Sequence, residues 1–373
     1  MYKIDLQDYK GSKVYFQLFD VILKDIPIKK EDYLLENDIN PSSYRLARKI
    51  EQNIGRTIIE KLAHNYDYII PSNEEIDNIE NNLNQIYEDM YYKIYDNYDK
   101  HQSYIDELIN KKYIIFPIIN LIKLFLNCNN NVGYEKQISD NETLFKEVLK
   151  YKNFLNNSLI EIFTIFEIVY QKVDVSYYMM KHYDNALVYF MLASKSLGEL
   201  KYVECIYFIN ICKERLIKEN NYKRLINLYY KLMQCYLYFR DYEECYNFSK
   251  QVLLMCRSFG IVGFEYETPL KNYAVSCIAL GKYNEVIQIY EKKESINYNE
   301  LCYFLVALFE TDKEKYNEAI SEYTKAANII NDDYVKLILS VINEYNVKGT
   351  KKRLDELNEY IMLTFIKILK ERK

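Results

Sequence analysis

The chain has 373 residues and a net charge of −5, with eight Gly, five Pro, no Trp and 41 Tyr. So little Gly and Pro excludes a protein built on tight β-turns and leaves no material for a glycine-rich phosphate loop, so the composition predicts an all-α fold. The acidic balance, and a segment 1–70 in which acids match bases, exclude a broad positive field, so any contact with nucleic acid must be local.

The opening residues, MYKIDLQDYK, hold no apolar run and so no secretory signal, and the expected location is cytoplasmic. Segments 18–26, 29–38, 42–52 and 54–66 read as helices, the second and third joined by a tight connection ending in Asn40, Pro41 and Ser42. Proline's missing N–H costs nothing at a helix start and serine can cap one, so the third helix is expected to begin there. This is the layout of a helix-turn-helix, in which the second helix of the pair enters the major groove of double-stranded DNA with its N-terminal residues at base edges. Ser42, Ser43 and Arg45 are then expected at bases or nearby phosphates, Arg48 and Lys49 at the backbone, and Arg56 at a further phosphate. Tyr44 and Ala47 are expected to point inward, Tyr44 having the alternative of reaching DNA. The other reading of the same residues is a basic helix on a solvated surface, since the turn lacks the usual glycine. Residues 1–70 form this expected N-terminal domain.

Residues 71–165 are expected to supply a helical linker, a dimerisation element and the start of a second domain. Ser72 and Glu75 have the spacing of a capping box, and Ile76, Ile79, Leu83, Ile86 and Met90 follow at alternating steps of three and four. That seam either pairs with its copy in a homodimer or packs against its own chain. The apolar stretch 113–127, interrupted by Pro117, Asn120 and Lys123, is too short and broken to span a bilayer and is expected to be a core helix. The eight cysteines show no Cys-x-x-Cys pair and are expected to be buried small residues in a reducing compartment. His64, His101 and His182 are too scattered for zinc spacing, and no nucleophile elbow or calcium loop occurs, so neither a metal, a cofactor nor an enzyme is expected.

From residue 166 to 373 helix pairs are expected to recur. The fragments YDNALVYFMLA, YEECYNFSKQV, YNEVIQIYEKK and YNEAISEYTKA begin at Tyr183, Tyr242, Tyr283 and Tyr316, each with a small or apolar residue at its fourth place: Ala186, Cys245, Val286 and Ala319. The spacing from Tyr242 to Tyr283 and from Tyr283 to Tyr316 is that of repeated helix pairs. Gly281, Tyr283, Ala319, Tyr323 and Ala326 stand at consensus positions, and the region resembles tetratricopeptide repeats, with Arg240 in place of one consensus glycine. The resemblance implies a right-handed α-solenoid.

The whole layout, a short helix-turn-helix, a helical linker and a tetratricopeptide-like solenoid, resembles the peptide-pheromone-sensing transcription regulators of Gram-positive bacteria, the group of Rgg, PlcR and PrgX-like proteins. The resemblance implies a homodimeric, quorum-sensing regulator whose short signalling peptide lies in the concave face of the solenoid, its backbone bonded by amide side chains that donate and accept at once. The positions that match are Tyr207 and Asn210, then Asn227, Tyr230, Gln234 and Tyr238, then Lys271 and Asn272. A tetratricopeptide adaptor without DNA binding, or a Rap-like regulator that sequesters a partner protein, are the alternatives.

Overall fold

The computed structural model describes residues 2–49, 53–128, 134–171, 173–293, 296 and 298–330. Among them are eighteen α-helices and no strand beyond one isolated parallel bridge between Ile69 and Tyr113. The expected all-α class is therefore observed. The end of the expected repeat region, 331–373, lies outside the described residues, as do the side chains of Cys302, Tyr323 and Ala326.

The chain divides into two units, Met1–Arg224 and Leu225–Lys373. The first opens with an extended stretch, a 3-10 turn at Gln7–Lys10, and four helices: α1 (Lys13–Ile22), α2 (Lys30–Glu36), α3 (Pro41–Ala47) and α4 (Asn53–Asn65). There follow α5 (Asn73–Tyr91), α6 (Tyr98–Asn110), α7 (Phe116–Cys128), α8 (Tyr134–Lys150), α9 (Asn157–Tyr170), the short α10 (Ser176–Met179), α11 (Ala186–Gly198) and α12 (Tyr202–Lys218). The division falls inside α13 (Tyr222–Phe239). The second unit continues with α14 (Tyr242–Ser258), α15 (Phe264–Ala279), α16 (Tyr283–Tyr290), α17 (Tyr298–Thr311) and α18 (Lys313–Ile330).

The apolar stretch expected as a core helix is α7, which packs on α5, α6, α8 and α9 and buries Ile118, Ile119, Leu121, Ile122, Leu124, Phe125 and Leu126. It starts at Phe116, later than expected, because Pro117 suits the first turn of a helix and Tyr113 is taken by the bridge. There the Ile69 N–H donates to the Lys112 carbonyl (3.0 Å) and the Ile114 N–H to the Ile69 carbonyl (2.9 Å). Helix α5 begins with the expected capping box, the Glu75 N–H donating to Ser72 Oγ and the Ser72 N–H to Glu75 Oε2. Its seam of Ile76, Ile79, Leu83, Ile86 and Met90 is buried in its own unit, where α5 packs on α7 and the 3-10 turn. Of the two readings of that seam, packing against its own chain is the one observed.

Between α11 and α16 the helices end alike. Leu200, Asn220, Arg240, Gly260 and Gly281, almost evenly spaced along the chain, all have positive φ. Each is followed by an N–H that donates back to the carbonyl five positions earlier: Lys201 to Ser196, Asn221 to Leu216, Asp241 to Tyr236, Ile261 to Cys256 and Lys282 to Cys277, at 2.8–2.9 Å. These are the 6→1 bonds of the Schellman motif, which satisfy helix-end carbonyls and reverse the chain. Arg240 thus holds the same backbone conformation as Gly281, although it is not the consensus glycine.

Within the first unit α11 packs on α12 and on α9. In the second, α14 packs on α15, α16 on α17, and α17 on α18. The small residues read from the repeated fragments lie at these contacts: Ala186, Cys245 and Val286 are buried, and Ala319 packs on the second unit's core. With no bulky side chain at those points, neighbouring helices can approach closely. Among the described residues seven cysteines are free thiols, six of them buried. Burial pushes the thiol of the half-buried Cys128 up to about 11 and those of the buried Cys245 and Cys277 up to about 12, so the three stay protonated near neutrality.

Candidate functional site

Helices α2 and α3 are joined by residues 37–40, and the Ile39 N–H closes the turn onto the Leu34 carbonyl at 2.8 Å. Asp38 takes φ 57°, the left-handed conformation that a glycine usually supplies in such turns. The cap of α3 is Asn40 rather than Ser42: its Oδ1 accepts from the Ser42 N–H (2.8 Å) and the Ser43 N–H (3.3 Å), with Pro41 at the first helical position. Helix α3 stops at Ala47, shorter than the expected 42–52, and residues 50–52 lie outside the described residues.

The inward face of this segment is Leu34, Ile39, Tyr44 and Ala47, all buried. Tyr44 takes the inward alternative. It is 1% exposed, meets Phe16 edge-on at 5.1 Å, and donates its hydroxyl to Asp20 Oδ1 at 3.0 Å. Burial, then the Asp20 charge, raises its phenol far above the usual value, so it remains a donor. The outward face carries Ser42, Arg45, Arg48 and Lys49, all exposed, with Ser43 half-buried.

The arginines meet carboxylates of their own chain. Arg45 Nη2 lies 3.3 Å from Glu31 on α2, with both side chains about two-thirds exposed. Arg48 Nη2 lies 3.0 Å from Asp20 Oδ2, and Lys30 also pairs with Asp20. Asp20 thus gathers Tyr44, Lys30 and Arg48 at the edge of a cavity of about 540 Å³ that Gln17, Lys24 and Asn153 also line. Arg56, on α4, pairs with Glu60 one turn along at 3.0 Å. Such exposed pairs contribute about 0–1 kcal/mol, so Arg45 and Arg56 are readily released to a stronger anionic partner, whereas Arg48 is held more firmly at the partly buried Asp20.

The residues matched to peptide binding are spread over both units. In the first, Tyr207 and Asn210 are exposed on α12. In the second, Asn227, Tyr230, Gln234 and Lys271 are half-buried, Tyr238 is exposed, and Gln234 Nε2 donates to the Tyr230 hydroxyl. Asn272 is fully buried in the core, and neither its Oδ1 nor its Nδ2 has a hydrogen-bond partner among the described residues. It therefore differs from the other seven positions, which are exposed or half-buried.

A second arrangement, not expected from the sequence, recognises extended backbone. Residues 2–6 lie along α5 and the start of α9 with their side chains alternating: Ile4 and Leu6 are buried, Tyr2 half-buried, Lys3 and Asp5 exposed. Asn84 holds Ile4 from both sides, its Oδ1 accepting the N–H (2.8 Å) and its Nδ2 donating to the carbonyl (2.9 Å). Ser158 Oγ accepts the Asp5 N–H (3.1 Å), Asn156 Nδ2 donates to the Asp5 carbonyl (2.7 Å), and Glu80 accepts the Leu6 N–H (2.7 Å). The Tyr2 ring lies 5.6 Å from that of Tyr87, and its hydroxyl donates to the Ser158 carbonyl. Glu80, Asn84 and Tyr87 follow one another at steps of four and three on α5, and Asn156 caps α9 through the Leu159 N–H. The sequence signal available was Glu80 and Asn84 flanking the apolar seam of α5, which reads equally well as solvated surface.

Among the described residues no helix is long and apolar enough to cross a membrane, and no three His, Cys, Asp or Glu side chains gather as metal ligands would. No protein-family model, curated protein or solved structure matches the chain.

Proposed function

We propose that the protein is a cytoplasmic transcription regulator that binds double-stranded DNA through α3 and responds to a short peptide held by a right-handed tetratricopeptide-like solenoid. The observation that carries the DNA half is the turn at residues 37–40. Short, with a left-handed Asp38 and a side-chain cap at Asn40, it has the length and backbone form of a helix-turn-helix connection. It buries Leu34, Ile39, Tyr44 and Ala47 and turns Ser42, Arg45, Arg48 and Lys49 outward. In that role α3 lies in the major groove, Arg45 near its start reads a guanine, and Arg48 and Lys49 meet phosphates. Repeated helix-and-turn units of nearly equal length support the solenoid half.

The ion pairs favour a second reading, an adaptor that binds a protein segment and no DNA, because Glu31, Asp20 and Glu60 already neutralise the three arginines. DNA must displace these acids. Titrating a preferred and a random duplex at several salt concentrations separates the two. In the regulator, Arg45→Ala loses about 1–3 kcal/mol on the preferred duplex and relaxes one base pair of preference. Arg48→Ala weakens both duplexes alike and flattens the log–log salt dependence by about one unit. Unaltered affinity and slope in both variants selects the adaptor.

A further inference from the structure

We infer that the groove between α5 and the start of α9 is a binding site for a free extended peptide with apolar side chains at alternate positions, and that residues 2–6 occupy it as a tethered competitor. This goes beyond the proposed peptide response, which concerns residues on α12, α13 and α15, and it does not rest on DNA binding.

Recognition of the segment's backbone is continuous over residues 4–6. Five consecutive backbone groups of residues 4–6, from the Ile4 N–H to the Leu6 N–H, are each met by a side chain of the groove: Asn84 twice, Ser158, Asn156 and Glu80. Contacts to backbone carry no demand for one particular sequence, while the buried Ile4 and Leu6 and the Tyr2 ring against Tyr87 set an alternating apolar pattern. A helix pair that only needed to cover its apolar surface could do so with side chains alone. Here a segment whose side chains alternate between solvent and core, outside any strand, has the backbone hydrogen bonds of residues 4–6 supplied by amide, hydroxyl and carboxylate groups. Because a short tether presents its segment at an effective concentration in the millimolar range, a free peptide of equal intrinsic affinity is disfavoured until the tethered copy is weakened. Displacement also has a route to the rest of the unit. Residues 7–12 lead directly into α1, which carries Asp20, the residue that holds Tyr44, Lys30 and Arg48.

The probe is the synthetic peptide acetyl-YKIDLQ-amide, fluorescently labelled, with a scrambled control in which the apolar residues are adjacent. Full-length chain carrying Ile4→Ser and Leu6→Ser is expected to bind it saturably and at least about tenfold more tightly than the unsubstituted chain. Adding Asn84→Ala to that variant is expected to weaken binding about tenfold or more, through loss of the paired contact to one backbone residue. Should the double variant lose its helical circular dichroism, the unsubstituted chain decides: excess peptide must speed amide exchange at Ile4 and Leu6, and the scrambled peptide must not. Overturning results are no saturable binding together with unchanged exchange, equal binding of the scrambled peptide, or tight binding that survives Asn84→Ala. Exchange of the segment between two copies, seen as a dimer that excess peptide does not dissociate, also overturns it. Each result is read without DNA, so it stands or falls separately from the regulator reading.

Discussion

Arg224 donates from Nε to the Tyr91 carbonyl (2.6 Å) and from Nη2 to the Met90 carbonyl (2.7 Å), and Asn221 Nδ2 adds a bond to Tyr91 (2.8 Å). A buried guanidinium is costly unless its donors are met. Here it lies at the C-terminal end of α5, where the last carbonyls and the negative end of the helix dipole compensate it. Burial lowers its pKa, yet the arrangement requires the cation. Arg224→Met is expected to remove the donors while keeping much of the volume, and to lower unfolding free energy by about 3 kcal/mol, measured by chemical denaturation. In a comparable buried cluster, Asp89 accepts from Gln85 (2.8 Å), Asn97 (2.9 Å) and His101 Nε2 (2.8 Å). Burial alone would raise its pKa, but the bonds from Asn97, His101 and Gln85 outweigh burial and hold the carboxyl below its usual value. A folded-state pKa below the unfolded one gives stability that is present above the ordinary aspartate pKa, about 3.9, and is lost as pH falls through the depressed value. The stability gap between the protein and Asp89→Asn is therefore expected to be widest near neutrality and to close in acid, followed by denaturation at a series of pH values. Neither cluster was legible in the sequence: Asp89 and Arg224 read as ordinary charged helix residues, and only packing brings their partners to them.

At the scale of the element, periodicity located the long helices well and the turns poorly. The seam of α5 and the apolar run of α7 were readable because burial repeats at the helical period. The turns were not, because glycine is scarce and other residues take its place. Asp38, Leu200, Asn220 and Arg240 all adopt the left-handed conformation, which costs a non-glycine residue about 1–2 kcal/mol. The 6→1 bonds and the packing of the flanking helices offset that cost. Leu200 is the clearest case: at φ 60° it is also 65% exposed, so its side chain gains little burial in return. Leu200→Gly is expected to raise stability by about 1 kcal/mol, less whatever the added freedom of the unfolded chain takes back, measured as a higher denaturation midpoint. The same substitution at a turn in the favoured right-handed region brings no gain. The start of α3 was partly readable, since Pro41 marks it, but the missing glycine hid the form of the turn that Asp38 adopts.

For the whole molecule, two units must be considered separately, and composition alone excluded much. Few Gly and Pro, with apolar residues at steps of three and four, required helices, because that spacing gathers apolar surface on one face only in a helix. The net charge of −5 leaves no broad positive field, and Arg45, Arg48 and Lys49 form only a short run of exposed cations. The residues at the fourth place of the repeated fragments, Ala186, Cys245 and Val286, are buried, as an apolar helix face recurring at that step requires. Tertiary structure decided the rest. It buried Asn272 while leaving Tyr207 and Asn210 exposed, although all three are polar or amphipathic residues on amphipathic helices. It paired Arg45 with Glu31 on α2 and Arg48 with Asp20 on α1, partners that no helical step links to them. It also laid residues 2–6 against Asn84 on α5 and Asn156 at the head of α9, contacts far apart in the chain that no local pattern encodes. Local spacing determines which face of a helix is apolar; which polar group meets which partner depends on where distant helices pack, and that is set by the whole core at once.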